Sequence, residues 1–150
     1  MRGVKFALLL SAMAGLSSTG LASAVSAQTS AVVVAERNLG VWRNPKDSVH
    51  VEIKSCGAST CGYVIWANAD AQADARKGGT QNLVGLQLLR DFTPGKNNTW
   101  KGKVFVPDLN MTFSGTAQFL DAKTMKAKGC LLPNFLCKSQ TWTRVDIAAN

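Results

Sequence analysis

Four cysteines, one histidine and nine acidic residues are the side chains from which chemistry in this 150-residue chain would start. Cys56 and Cys61 bracket four residues, and Cys130 and Cys137 bracket six. Four cysteines allow three pairings, but residues facing each other across a hairpin fall within disulfide reach, so the expected bonds are Cys56–Cys61 and Cys130–Cys137. A four-cysteine zinc site is the competing chemistry; the C-x4-C and C-x6-C spacings fit zinc-site habits poorly. His50 is the only imidazole, which leaves Ser-His-Asp schemes and histidine-based metal triads with one place to be built. It alternates with Val49 and Val51 and falls on the polar side of its run. Glu52, Asp91, Asp108 and Asp121 could supply a carboxylate pair, but the three aspartates read as exposed residues of turns. No nucleophile elbow, phosphate loop, HExxH helix or glycine-rich dinucleotide turn is present. The expectation is a protein without catalytic residues, cofactor or metal.

The elements that would hold these residues begin after an export signal. Arg2 and Lys5 precede an apolar run from Phe6 to Leu16, followed by small residues up to Ala27, the pattern of a secretory signal peptide over residues 1–27 with cleavage after Ala27. The run is too short to span a bilayer, so no transmembrane span is expected. No cysteine follows the cleavage point to carry a lipid. A periplasmic or secreted location results, and it favours oxidised cysteines. Removing Arg2 and Lys5 lowers the basic count from 17 to 15 against 9 acidic residues, leaving a charge of +6. Export turns that charge away from nucleic acid and toward an anionic envelope surface or an acidic protein. A solvated surface that keeps the protein soluble is the plainer reading of the same charge.

Residues 28–38 lack an amphipathic period and read as a leader; residues 39–146 are short β-patterned runs, and 147–150 form a tail. Val49, Val51 and Ile53 alternate with His50, Glu52 and Lys54, as a half-buried strand does. Further runs are Leu39–Arg43, Cys61–Ala67, Val84–Phe92, Thr99–Val106, Met111–Leu120, Thr124–Gly129 and Lys138–Val145. Their links carry turn residues and leave no room for crossover helices; only Asn68 to Thr80 offers a short helix. The fold class expected is all-β, an eight-stranded antiparallel up-and-down barrel with short or no helix, since closure removes sticky edges.

Alternation also sorts the two faces. Trp100, Gly102, Val104 and Val106 share one side, as do Met111, Phe113, Gly115, Ala117 and Phe119, and then Met125, Ala127 and Gly129; these are assigned to the interior. Lys101, Lys103, Lys126 and Lys128 fall on the outer wall. The inward glycines and alanines admit two readings: they hollow the barrel for a ligand, or they let the strands coil tightly enough to close. At the chain ends, Trp142 and Arg144 share a face, and the first and last strands of a barrel are neighbours. Stacking of Arg144 on Trp42 or Trp142 would then help close the barrel, an interaction of about 0.5–2 kcal/mol.

Gly40-Val41-Trp42 answered by a late arginine resembles lipocalin-like barrels. The finer pattern includes Cys61-Gly62-Tyr63-Val64-Ile65-Trp66, Trp100-Lys101-Gly102-Lys103-Val104, Pro107-Asp108, and Cys137-Lys138-Ser139-Gln140-Thr141-Trp142-Thr143-Arg144-Val145. It resembles the exported bacterial proteins of domain-of-unknown-function family 2147 from about Leu39 to Val145. That resemblance implies a lipocalin-like barrel in the envelope of Gram-negative bacteria or outside the cell, and no assigned activity. Asn110 stands where the family pattern usually has glycine, a position asparagine can fill in a left-handed turn.

Two functions are therefore weighed. In the first, the barrel holds a small apolar or amphipathic ligand, with Trp66, Trp100, Met111, Phe113 and Phe119 as the apolar wall; the alternative for each is ordinary core packing. In the second, the basic outer face binds an envelope or acidic protein without catalysis.

Overall fold

Each alternating run becomes a strand because the pleat sends successive side chains to opposite faces, and a one-sided apolar set can be buried only by a sheet that curls over it. In the computed structural model, which describes residues 36–132 and 135–146, the strands are β1 (Gly40–Arg43), β2 (Val49–Cys56), β3 (Ser59–Ala67), β4 (Gln87–Pro94), β5 (Thr99–Val106), β6 (Met111–Phe119), β7 (Thr124–Leu132) and β8 (Phe135–Arg144). They pair antiparallel in chain order and close into a barrel, with Trp42 opposite Arg144 and Arg43 opposite Thr143 at the seam. The export signal, its cleavage point, residues 28–35 of the leader and the 147–150 tail lie outside the described residues.

Among the described residues of the barrel one helix, α1 (Ala69–Lys77), sits between β3 and β4. Asn68 caps it by accepting a hydrogen bond from the Ala71 N–H at 2.9 Å, and Asp70 in the first turn with Arg76 and Lys77 in the last complement the helix dipole. Ala75 is buried with Leu83 against the barrel. Gly78 ends the helix against the Pro107-Asp108 turn, where a Cβ would lie 2.4 Å from the Pro107 carbonyl oxygen.

Element limits differ most from the sequence expectation at β4, at the β7–β8 hairpin and ahead of β1. β4 starts at Gln87 instead of Val84, because Gly85 takes a positive φ of 89° and its N–H is used on the Val64 carbonyl. β7 and β8 run on past Gly129 and start before Lys138: the segment read as a turn around Cys130 and Cys137 is ladder, with Cys130 opposite Cys137 and Leu132 opposite Phe135. Residues 36–38, read as the end of a leader that lacks an amphipathic period, form a helical turn whose Asn38 is buried. Asn110, by contrast, adopts φ 50°, the left-handed conformation expected for it and one that asparagine tolerates.

Chain direction makes the two ends of the barrel unlike. The 36–39 segment and the β2–β3, β4–β5 and β6–β7 turns gather at one end; the β1–β2 loop, α1, and the β5–β6 and β7–β8 turns gather at the other. The first end is sealed. Trp42 is fully buried there, edge-on to Phe119 with centroids 5.4 Å apart, and its Nε1–H donates to the Asn38 carbonyl at 3.2 Å. Asn98 donates to the Phe119 carbonyl at 2.7 Å and joins the β4–β5 turn to the end of β6. The core of Val51, Ile53, Val64, Phe92, Trp100, Ala117 and Met125 is packed around this sealed half.

Both cysteine pairs are bonded as expected, Cys56 to Cys61 and Cys130 to Cys137. Each ties a hairpin, the first at the sealed end and the second at the open end.

Candidate ligand chamber

Above the sealed floor the barrel encloses a chamber of about 750 Å³, a volume within the range of small-molecule sites. Its floor is made by Trp42, Phe92, Ala117, Met125 and Trp142, and its walls by Leu88, Leu89, Val104, Val106, Phe113 and Ala127. Leu109, Met111, Leu131 and Leu136 form the rim. These rim side chains remain accessible; Leu109 and Leu136 are 57% and 63% exposed. A more polar recess of about 560 Å³, between α1 and the β1–β2 loop, shares Leu88, Asp108 and Gln140 with the chamber and so continues it outward.

The inward glycines separate into two kinds, which answers the choice left open by alternation. A Cβ on Gly102 would lie 2.4 Å from the Phe92 ring, and one on Gly115 would lie 2.3 Å from the Val104 methyl group. These glycines make room for neighbouring side chains, so they serve packing. At Gly129 a Cβ would meet nothing within 4 Å. That glycine borders the empty part of the barrel.

The expected wall residues are divided by the structure. Met111 and Phe113 line the chamber. Trp100 and Phe119 point inward but lie below the floor, around a void of only about 10 Å³, where they act as packing. Trp66 does not reach the interior. Between Val64 and Trp66 the β2–β3 ladder shifts register, so that Val51 opposes Val64 while His50 opposes Trp66 and Val49 opposes Ala67. The extra residue in β3 reverses the alternation. Ala67 turns inward and Trp66, 43% exposed, stacks on His50 outside with ring centroids 4.6 Å apart.

His50 also meets Asp47, with Nε2 2.6 Å from the carboxylate. That hydrogen bond, followed by the charge of Arg43, holds the Asp47 carboxyl below its ordinary range. The carboxylates considered for acid–base chemistry are dispersed: Asp108 is on the β5–β6 turn of the open end, Asp121 on the β6–β7 turn of the sealed end, and Asp91, read as a turn residue, lies exposed within β4, while Glu52 is engaged with Lys54 at 3.1 Å. Among the described residues no three His, Cys, Asp or Glu side chains come together as metal ligands. No helix among them is long and apolar enough to cross a membrane.

At the seam, the Arg144 guanidinium carbon lies 4.9 Å over the Trp42 ring. Its Nε donates to the Ala122 carbonyl at 2.9 Å, one terminal nitrogen to Leu39 at 2.8 Å, and the other to Arg37. Trp142 stands beside this group with its indole N–H enclosed and, among the described residues, without an acceptor.

The sequence reading missed the polar face of the chamber. Met125, Ala127 and Gly129 point inward, and their partners across the ladder are Trp142, Gln140 and Lys138. Paired residues share a face, so Gln140 and Lys138 are also inward, and both line the chamber. The signal was present, since Trp142 and Arg144 had been placed on one face and Lys138 and Gln140 continue it in steps of two.

Comparison with known proteins agrees with this architecture. Protein HP1028 from the human pathogen Helicobacter pylori, described as belonging to the lipocalin family, superposes with a TM-score of 0.59 at 16% identity, covering 72% of this chain and 82% of that one. None of the curated proteins matches the chain. The family model described as "Uncharacterized protein conserved in bacteria (DUF2147)" matches residues 40–144. A closed lipocalin-like barrel whose sequence matches that model over all eight strands belongs to the DUF2147 family.

Proposed function

We propose that this barrel is exported to the periplasm or beyond the cell and there binds a small apolar or amphipathic molecule in its chamber, without turning it over. The observation that carries the reading is the chamber itself: about 750 Å³ left open above a packed floor and walled mainly by aliphatic and aromatic side chains. A barrel of eight strands can be filled by its own side chains, and this one is filled only in its lower half. The two bonded cysteine pairs support an oxidising compartment. Trp42 and Trp142 border the chamber, so intrinsic fluorescence reports on its contents. Titration with fatty acids, fatty alcohols and lysolipids is expected to give a saturable change; a flat response across such a panel overturns the reading. N-terminal sequencing of the protein from a periplasmic or culture fraction is expected to begin at Gln28.

A second reading is favoured by the outer wall. Lys101 and Lys103 on β5 and Lys126 and Lys128 on β7 flank Ser114, Thr116 and Gln118 of β6, and Arg90 on β4 pairs beside Lys103. The outward rows of β5, β6 and β7 carry no carboxylate, and Asp91 is exposed beside Arg90 on β4. Such a face suits an acidic protein or an anionic envelope surface. Pull-down from an envelope extract at low and raised salt tests it: loss of the captured partner with salt and with Lys101→Glu/Lys126→Glu supports the reading, and capture indifferent to both overturns it.

A further inference from the structure

We infer that the chamber is built for an anionic amphiphile, whose acidic head is held at the open end by Lys138 and Gln140 while its apolar chain lies toward Trp42 and Trp142. The inference rests on the ligand-binding reading and adds the chemical class of the ligand.

The argument starts from register. Gly129 faces open space and Lys138 is its partner across the β7–β8 ladder, so Lys138 belongs to the inward set, lines the chamber at its exposed mouth, and has no side chain beside it on the neighbouring strand. Gln140 follows on the same face, about 7 Å along the strand, the spacing of alternate residues. An ammonium and an amide N–H thus face one volume from adjacent inward positions, and a single carboxylate placed between them can accept from both.

The other polar residues around the chamber do not compete for that role. Thr116 and Lys128 oppose each other across the β6–β7 ladder and belong to its outward set, so they border the chamber through their strands. Asp108 stands on the β5–β6 turn, and among the described residues no carboxylate lies within 4.0 Å of the Lys138 amine. Lys138 is therefore an inward-set cation at the exposed mouth of a mainly apolar chamber, with no carboxylate partner among the described residues, and it is available to a ligand. Below it the strand continues through Trp142 to the floor, about 13 Å further on, a depth suited to an alkyl chain. A neutral hydrocarbon would leave the ammonium and the amide unused, and a cationic amphiphile would be repelled.

The test compares dodecanoate, dodecanol and dodecyltrimethylammonium on the full mature protein, by tryptophan fluorescence and calorimetry. Wild type is expected to bind the carboxylate about tenfold more tightly than the alcohol and the ammonium least, as one partly solvated charge-assisted hydrogen bond provides. Lys138→Met is expected to bring acid and alcohol within about twofold, chiefly by weakening the acid, with the thermal midpoint of wild type. Lys138→Glu is expected to favour the ammonium. Lys101→Met, on the outer wall, is expected to keep the wild-type preference. Equal binding of acid and alcohol by wild type, or a preference that survives Lys138→Met or vanishes in Lys101→Met, overturns the assignment of the head site while leaving the chamber as a binding site. Failure of wild type to bind any of the three removes the ligand-binding reading and this inference together.

Discussion

The guanidinium of Arg144, from the last strand, covers the indole of Trp42, from the first, at 4.9 Å, and its three nitrogens reach backbone carbonyls of Arg37, Leu39 and Ala122. β1 and β8 share only two paired positions at the seam, Trp42 with Arg144 and Arg43 with Thr143. Much of the closure is therefore carried by one side chain that bridges the N-terminal segment, the β6–β7 turn and the floor of the chamber.

Arg144→Lys tests that role. A lysine can donate to one of these acceptors at a time and lacks the plane that stacks on the indole. The expected loss is about 1–3 kcal/mol, or roughly 4–8 °C in Tm for each kcal/mol in a domain of this size, read by near-UV circular dichroism. An unchanged midpoint contradicts the closure account.

Two glycines on the same inward set are expected to respond oppositely. Gly115→Ala drives a methyl into Val104 at 2.3 Å and should destabilise by about 1–3 kcal/mol. Gly129→Ala meets nothing within 4 Å and should change stability by less than about 0.5 kcal/mol. Gly129→Phe should fold and lose ligand affinity, because its ring occupies the chamber. Denaturant midpoints and fluorescence titrations check the three; a Gly129→Phe protein that binds as wild type contradicts the position of the chamber.

The two disulfides are expected to differ in what they protect. Each closes a short loop, of sequence separation 5 and 7, so removing either by double serine substitution should cost on the order of 2 kcal/mol. Loss of Cys130–Cys137 should also raise amide exchange in the neighbouring rim residues Leu131, Leu132, Phe135 and Leu136. Loss of Cys56–Cys61, at the sealed end, should leave exchange at the rim as it is.

Acid should destabilise the barrel through its turns. Asp121 accepts from the Lys123 backbone N–H at 2.7 Å, and this bond, with the Thr124 hydroxyl next, holds its carboxyl below the ordinary range. Asp47 and Asp74 are lowered as well, by His50 and Lys77 respectively. A carboxyl whose folded pKa is depressed stabilises the fold above its unfolded pKa, about 4, and loses that contribution as pH falls through the folded value. Thermal midpoints should thus decline below about pH 4, and Asp121→Asn, which keeps an acceptor for the turn, should have a shallower decline. Parallel curves for the two proteins would contradict this assignment.

Much of the architecture was legible in the chain. Alternation is a local property of the pleat, so Val49, Val51 and Ile53 or Met125, Ala127 and Gly129 declare their shared face without knowledge of the rest. Pairing of cysteines across hairpins, and the adjacency of the strands that carry Trp42 and Arg144, follow from strand order alone, while the choice of Trp42 over Trp142 as the stacking partner came with the structure. Trp66 was misplaced because a bulge depends on how β3 meets β2, which a period of two does not encode. Lys138 opens the expected last strand and its parity with Trp142 is readable, but that this inward position borders an open volume emerges only from the closed barrel.

The residue pattern by itself determined that the chain closes into a disulfide-tied barrel of eight strands with Lys101, Lys103, Lys126 and Lys128 outside. Only the tertiary structure decided which inward positions are filled. Gly102 and Gly115 face the side chains of Phe92 and Val104, while Gly129 faces none and has Lys138 beside it. Whether a glycine makes a contact or a void depends on side-chain volumes arriving from other strands, and that sum exists only once the barrel is closed.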